Sequence, residues 1–137
     1  MYQAVKVFAP ATVANVSIGF DILGFAIERP GDEIIARLRP DIKGLVISTI
    51  TGTGDKQLPY EPALNTAGYA AQRLLRHLGQ EALGVELEIH KKMPFGSGMG
   101  SSAASAAGAV VAVNELLGAP LSREALLYFA VEGEQVA

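Results

Sequence analysis

The stretch MPFGSGMGSS, residues 93–102, combines three glycines and three serines directly before an alanine-rich run. It follows GVELEIH (84–90), in which apolar and polar residues alternate as in a strand with one buried face. The alanine-rich run predicts a helix that begins at Ser101 or Ser102 and ends before Gly118. The stretch therefore predicts a strand, a glycine-rich turn and a helix N-terminus in direct succession.

A glycine-rich turn at a helix N-terminus is suited to binding an anion. Glycines let the backbone approach a ligand closely, and the first N–H groups of a helix have no intrahelical partner. The helix dipole adds positive potential at the same place, so phosphate is the natural occupant. Lys91 and Lys92 precede the turn, and the next acidic residue is Glu115. The alternative is a structural glycine turn before a packing helix.

Two common phosphate loops do not fit this stretch. A Walker loop has a lysine followed by serine or threonine, and there is no lysine inside this loop. A dinucleotide fingerprint needs G-x-G-x-x-G after a buried parallel strand, whereas Gly96, Gly98 and Gly100 are spaced by two. The alternating strand before the turn also favours antiparallel pairing.

The composition limits the classes of function. The 137 residues suit one modest domain, with half of them apolar and 18% charged. The chain has no cysteine, which excludes disulfides and thiolate metal sites. A net charge of −3 argues against nucleic-acid binding. We see no signal-peptide pattern, and the apolar run 109–113 is too short for a membrane span, so we expect a cytoplasmic protein.

The rest of the chain predicts an α+β fold, with a mostly antiparallel sheet and helices on one side. Strands are predicted at 2–10, ending at Pro10, and at 32–38 and 44–50, with a loop at 11–27. Asn65 predicts the N-cap of a helix that ends at Gly79. A third helix begins near Ser122 and has no stop signal, so we expect the chain to be part of a longer protein.

The residues PFGSGMGSSAAS, Pro94 to Ser105, resemble the phosphate-binding motif P-x-x-x-G-x-G-S-S-A-A of the GHMP kinase superfamily. Met99 stands where leucine is usual. The segment APATVANVSIGFDILG, Ala9 to Gly24, resembles the start of homoserine kinases, one branch of that superfamily. Further similarity lies around Asn65 and at Gly133–Glu134. The resemblance implies the superfamily's N-terminal ATP-binding domain (ribosomal protein S5 domain 2-like) over residues 1–137, with the C-terminal domain absent from this chain.

The resemblance also implies a nucleotide site that uses ATP and Mg²⁺. The backbone from Ser97 to Ser102 would wrap the phosphates, and Ser102 and Glu134 would hold the metal, which prefers hard oxygen ligands. Ser102 as a simple helix cap and Glu134 as a solvated glutamate remain the structural alternatives. The expected nucleotide-binding residues are Asn65, Pro94, Gly96, Ser97, Gly98, Met99, Gly100, Ser101 and Ser102. Asn65 has two interpretations, an N-cap and a neighbour of the base.

The substrate implied by the resemblance is L-homoserine, phosphorylated to O-phospho-L-homoserine on the way to threonine. Asn15 and Asp21 are the expected catalytic residues facing it. Asp21 would accept a hydrogen bond from the reacting hydroxyl, and orienting that group suffices because charge neutralisation carries most of phosphoryl transfer; an Asx-type turn is the alternative. We expect a homodimer, since apolar faces of the alanine-rich helix would favour association. Another small-molecule GHMP kinase and a non-catalytic nucleotide-binding or assembly module stay open.

Overall fold

The computed structural model describes residues 3–13, 25–54, 57–92 and 101–133, with the side chains of 10–13, 25–30 and 101 left aside. It contains four strands, a short 3-10 turn at Pro62–Leu64 and three α-helices. The strands are β1 (Ala4–Val13), β2 (Phe25–Leu38), β3 (Leu45–Thr51) and β4 (Val85–His90). The helices are α1 (Thr66–His77), α2 (Ser101–Leu116) and α3 (Arg123–Gly133).

The sheet has the order β1-β2-β4-β3. β1 and β2 pair antiparallel, as do β2 and β4, whereas β3 runs parallel to β4. Two of the three pairings are antiparallel, which confirms the predicted α+β class with a mostly antiparallel sheet. β4 therefore has an antiparallel neighbour, as its alternating sequence predicts, and a parallel one that it does not.

The first two strands are longer than the sequence predicts. β1 does not end at Pro10 but continues to Val13, and β2 begins at Phe25, so the predicted loop at 11–27 is wrong at both ends. Thr12 pairs with Ala26 after a register shift that follows Pro10. Proline lacks a backbone N–H and is tolerated on edge strands and at bulges. β1 is an edge strand, which explains how a proline lies within it.

One face of the sheet packs against the helices. Val85, Leu87 and Ile89 of β4 are buried, while the residues between them are half-buried on the opposite face. The largest fully buried apolar side chains come from the sheet and from all three structural layers' contact surfaces between β2, β4, α1 and α2: Ile34, Leu74, Leu75, Val85, Leu87, Ile89, Val110, Val113 and Leu116. This confirms helices on one side of the sheet.

The helix ends follow their local sequence signals. Gly79, directly after the C-cap of α1, has a φ of +69°, and Gly118, two residues after α2, has a φ of +87°. Such left-handed positions favour glycine, so both predicted helix stops are confirmed. Ser122 accepts a hydrogen bond from the N–H of Ala125 at 3.2 Å and caps α3. In the described part of the chain, no helix is long and apolar enough to cross a bilayer.

Candidate functional site at the N-terminus of α2

The first turn of α2 is accessible and carries no acidic side chain. The helix begins at Ser101, directly after the glycine-rich stretch, and Ser102 is half-buried. At sixteen residues the helix is long enough to have a full dipole at this end. Its first N–H groups lack carbonyl partners within the helix, so this end can bind an anion.

The C-terminal end of α3 lies close to the beginnings of the other two helices. A Cβ placed on Gly133 would come within 2.8 Å of the carbonyl oxygen of Thr66 and 3.0 Å of the Cβ of Ala106. Thr66 is the first residue of α1, and Ala106 lies about one turn after Ser102. Only glycine allows this approach without displacing backbone. The three helix ends therefore meet on one side of the domain.

Asn65 is held as an N-cap. Its side-chain oxygen accepts a hydrogen bond from the N–H of Gly68 at 3.2 Å, and its amide donates to the carbonyl of Pro59 at 3.0 Å. The residue is 5% exposed, and the N-cap prediction is confirmed. Both polar groups of its side chain thus have internal partners, which favours the structural role over contact with a base.

A buried charged cluster that the sequence analysis missed lies beside the end of β4. The ammonium of Lys91 is 2.9 Å from Oδ2 of Asp32 and donates to the hydroxyl of Ser105 at 2.5 Å. The Ser105 hydroxyl lies 3.3 Å from the same carboxylate oxygen, and the backbone N–H of Lys92 donates to Oδ1 of Asp32 at 2.8 Å. None of Asp32, Lys91 and Ser105 is more than 5% exposed. They are named below the buried cluster.

Strand periodicity is the signal that could have revealed this cluster. Asp32 shares its parity with the buried Ile34 and Ala36 of β2, and Lys91 shares its parity with the buried Ile89 of β4. Residues two apart in a strand face the same side, so both charges fall on the core face. A charged residue at a core position is expected only when it has a partner.

The two lysines before the turn are paired with acidic residues of β2. Lys91 contacts Asp32, while the ammonium of Lys92 lies 3.2 Å from Glu33. Hydrogen bonds from Lys92 and then Lys6 hold the pKa of Glu33 below its ordinary value. The sequence analysis counted both lysines as free positive charge near the turn. Pairing compensates much of that charge, so the backbone N–H groups of α2 are the main source of positive potential here.

The opposite face of the sheet carries a separate set of ion pairs. Arg39 lies 2.5 Å from Glu86, and Arg37 pairs with Glu86 and Glu88. The hydroxyl of Ser48, followed by Arg39, lowers the pKa of the Glu86 carboxyl. These residues lie on the face that the helices leave open, away from the N-terminus of α2.

An apolar groove of about 440 Å³ lies between β1 and α2. Phe8, Ala104 and Gly108 help to line it, with Arg123 as its charged member. A Cβ on Gly108 would meet Cγ1 of Ile34 at 2.8 Å, so this glycine lets α2 lie close to the sheet. The lining is unsuited to a phosphate. Most of α2 is buried, and large exposed apolar side chains lie instead on α3, at Leu127, Tyr128 and Val131.

Most of the predicted site residues lie outside the described part of the chain. These are Asn15, Asp21, Pro94, Gly96, Ser97, Gly98, Met99, Gly100 and Glu134. Of the others, Ser101 begins α2, Ser102 follows it and Asn65 caps α1. Among the residues that the structure describes, no group of three or more His, Asp or Glu side chains could hold a metal ion.

Comparison with known proteins identifies the family. Residues 65–137, more than half of the chain, match the family model of the GHMP kinases N terminal domain. The chain is 50% identical over 143 aligned residues to a homoserine kinase of Chlorobium phaeovibrioides, covering 98% of this chain and 44% of the relative. A homoserine kinase of Xylella fastidiosa is 46% identical, with 96% of this chain and 40% of the relative covered.

A solved structure agrees with these relatives. The crystal structure of homoserine kinase from Cytophaga hutchinsonii is 52% identical, with a TM-score of 0.92 over all of this chain and 42% of that one. The chain thus spans less than half the length of the proteins that it matches. The fold, the strand–turn–helix stretch and the family match agree, and the chain belongs to the GHMP kinase family, of whose N-terminal domain it forms at least the larger part.

Proposed function

We propose that the protein to which this chain belongs transfers the γ-phosphoryl group of Mg·ATP to the hydroxyl of L-homoserine. The observation that carries the proposal is the meeting of three helix ends at Gly133, Thr66 and Ala106. It lies at the N-terminus of α2, where the accessible first turn has no acidic side chain. Similarity to homoserine kinases at 42–50% identity supports this acceptor over other alcohols.

The residues around the N-terminus of α2 fit Mg·ATP chemically. Backbone N–H groups of the first turn suit phosphate oxygens, and hydroxyl and carboxylate oxygens suit Mg²⁺, which keeps several waters and needs few protein ligands. Ser102 and Glu134 would hold the metal, and the segment from Pro94 to Ser101 would hold the phosphates. When bound, Mg²⁺ would neutralise part of the charge on the phosphates. Gly133 precedes Glu134 and already lies beside the start of α1.

Asn15 and Asp21 are proposed to bind the acceptor. In this assignment the carboxylate of Asp21 accepts a hydrogen bond from the hydroxyl of homoserine and orients its oxygen for attack. A strong base is unnecessary because phosphoryl transfer has a loose transition state, for which positioning and charge neutralisation carry most of the catalysis.

The whole active site is proposed to need more than these 137 residues. The chain spans about 44% of the relatives it matches, and a substrate carboxylate is usually held by a bidentate arginine. We propose that a second domain outside residues 1–137 supplies that clamp, that the isolated residues do not turn over homoserine, and that the natural protein is a cytoplasmic homodimer. Release of ADP by the isolated residues in the presence of homoserine would contradict the second of these statements.

The assignment of metal and acceptor residues is tested by comparing three variants of the natural full-length protein. Glu134→Gln removes the proposed metal ligand, Asp21→Asn removes the proposed orienting carboxylate, and Glu132→Gln is the matched control two residues earlier. Homoserine-dependent ADP release should fall by about 100-fold or more in Glu134→Gln, the order of magnitude for loss of a group that stabilises charge. It should fall less in Asp21→Asn and stay near wild type in Glu132→Gln.

Two results would count against this assignment. Equal loss in Glu134→Gln and Glu132→Gln would remove Glu134 from the metal site. A loss in Asp21→Asn as large as that in Glu134→Gln would show that Asp21 does more than orient the hydroxyl. Binding of Mg·ADP by the folded wild-type protein without any phosphoryl transfer would favour a nucleotide-binding module instead.

A further inference from the structure

The buried cluster joins three separate parts of the chain around one carboxylate. Asp32 comes from β2, Lys91 directly follows β4, and Ser105 lies in the second turn of α2. Asp32 is fully buried and accepts from the Lys91 ammonium at 2.9 Å and from the backbone N–H of Lys92 at 2.8 Å. The Ser105 hydroxyl contacts both charged partners, at 2.5 Å and 3.3 Å.

Stability alone is a poor reason for a buried ion pair at this place. Desolvation of two charges offsets much of their attraction, and well-packed apolar residues of similar volume often stabilise a core equally or better. The neighbouring core positions, Ile34 and Ile89, are apolar. What the pair provides, and apolar residues do not, is direction, since its hydrogen bonds fix the relative positions of three backbones.

The backbone of Lys91 is fixed from the opposite side by β3. Its N–H donates to the carbonyl of Thr51 at 2.9 Å. A Cβ on Gly52, whose φ is +79°, would lie 1.8 Å from the carbonyl oxygen of Lys91, so only glycine lets the two backbones approach this closely. Lys91 is therefore held by β3 through its backbone and by β2 and α2 through its side chain.

We infer that Asp32, Lys91 and Ser105 are positioning residues that set the place of the N-terminus of α2 relative to the end of β4, and thereby the affinity for nucleotide phosphates. The inference rests on the proposed function, because it takes the N-terminus of α2 as the phosphate site. The N–H groups of a helix bind an anion only when they point at it, so a shift of the first turn weakens binding without touching any ligand.

The experiment uses the natural full-length protein and removes one hydroxyl. Ser105→Ala deletes the contacts to Lys91 and Asp32 and leaves the ion pair in place. Loss of one hydrogen bond of ordinary strength predicts a rise of about fivefold in the Kd for Mg·ADP by titration calorimetry. The KM for ATP should rise by a similar factor, while the KM for homoserine should change by less than about twofold, since the acceptor does not contact α2 in this assignment.

A variant with a comparable loss of stability elsewhere in the same helix is the control. Val113→Ala removes fully buried apolar volume from the C-terminal half of α2. It should lower the thermal midpoint at least as much as Ser105→Ala but leave the Kd for Mg·ADP unchanged. Hydrogen exchange gives a readout without nucleotide: amides at 101–105 should exchange faster in Ser105→Ala and as in wild type in Val113→Ala.

A second variant tests the ion pair. Asp32→Asn with Lys91→Met replaces both charges together, so neither is left buried alone. It should raise the Kd for Mg·ADP further than Ser105→Ala while the protein stays folded.

Four outcomes are distinguishable. Wild-type Kd values and exchange rates in both variants would overturn the inference and leave the proposed function standing. An equal rise of Kd in the Val113→Ala control would also overturn it, since general destabilisation would then suffice. Wild-type protein that binds Mg·ADP but transfers nothing to homoserine would overturn the proposed function, while the Kd and exchange comparisons still decide the inference. Wild-type protein that binds no nucleotide would overturn both.

Discussion

Replacing Asn65 by alanine separates the cap from any contact with a nucleotide. The side chain makes two internal hydrogen bonds, one from the N–H of Gly68 and one to the carbonyl of Pro59. Removing an N-cap costs about 1 kcal/mol, and a second ordinary hydrogen bond adds about 1 kcal/mol. We therefore expect Asn65→Ala to lower the free energy of unfolding by about 2 kcal/mol, as the sum of these two losses.

Serine at the same position is the matched control. It is an equally good N-cap but has no amide to reach Pro59, so Asn65→Ser should lose only about half as much, about 1 kcal/mol. The measurement is urea unfolding of the natural full-length protein followed by far-UV circular dichroism, with midpoints compared at equal slope. Hydrogen exchange in α1 locates the effect, because its amides should lose protection in the order wild type, serine, alanine.

The reasoning would be refuted by equal stability of all three proteins. It would also be refuted if serine destabilised the protein as much as alanine, because the cap would then contribute nothing. A role for Asn65 in binding the base makes a different prediction. In that case both variants would raise the KM for ATP by the same factor, whatever their stabilities.

Two further predictions concern stability. The carboxyl of Glu86 has a lowered pKa, caused first by the Ser48 hydroxyl and then by Arg39, so its contribution is present above its ordinary value of 4.5 and is lost as the pH falls through the lower folded value. The thermal midpoint should therefore fall below about pH 4.5, and less steeply in Glu86→Gln; an identical acid profile in the variant would contradict this. Gly133→Ala should destabilise by about 1–3 kcal/mol despite a better helix propensity, because its Cβ would meet the Thr66 carbonyl at 2.8 Å. Chemical denaturation checks this, and a stabilised variant would show that α3 does not meet α1 as described.

Features that depend on local sequence could be predicted. The cap at Asn65 and the stop at Gly79 depend on side chains and φ angles within a few residues, and the structure confirms both. The alternation in β4 depends only on parity, and its apolar residues are buried. The glycine-rich stretch before α2 has a composition that few other functions require, so the kind of site could be predicted from it.

Features that depend on pairing between distant segments could not be predicted. The extension of β1 past Pro10 depends on its ladder with β2, and the parallel pairing of β3 with β4 has no local signal. The pair between Asp32 and Lys91 needs the antiparallel register of β2 with β4, in which Glu33 lies opposite His90. Parity alone predicts that each charge is buried, but not that they meet.

The most direct test of the account is ADP release by the natural full-length protein with Mg·ATP and four acceptors, namely homoserine, threonine, mevalonate and galactose. The account predicts turnover with homoserine and none above background with the other three. Turnover confined to another alcohol would keep the phosphate site at α2 and contradict the proposed acceptor. Absence of turnover with every acceptor, from a folded protein, would contradict the central claim that this family member is a small-molecule kinase.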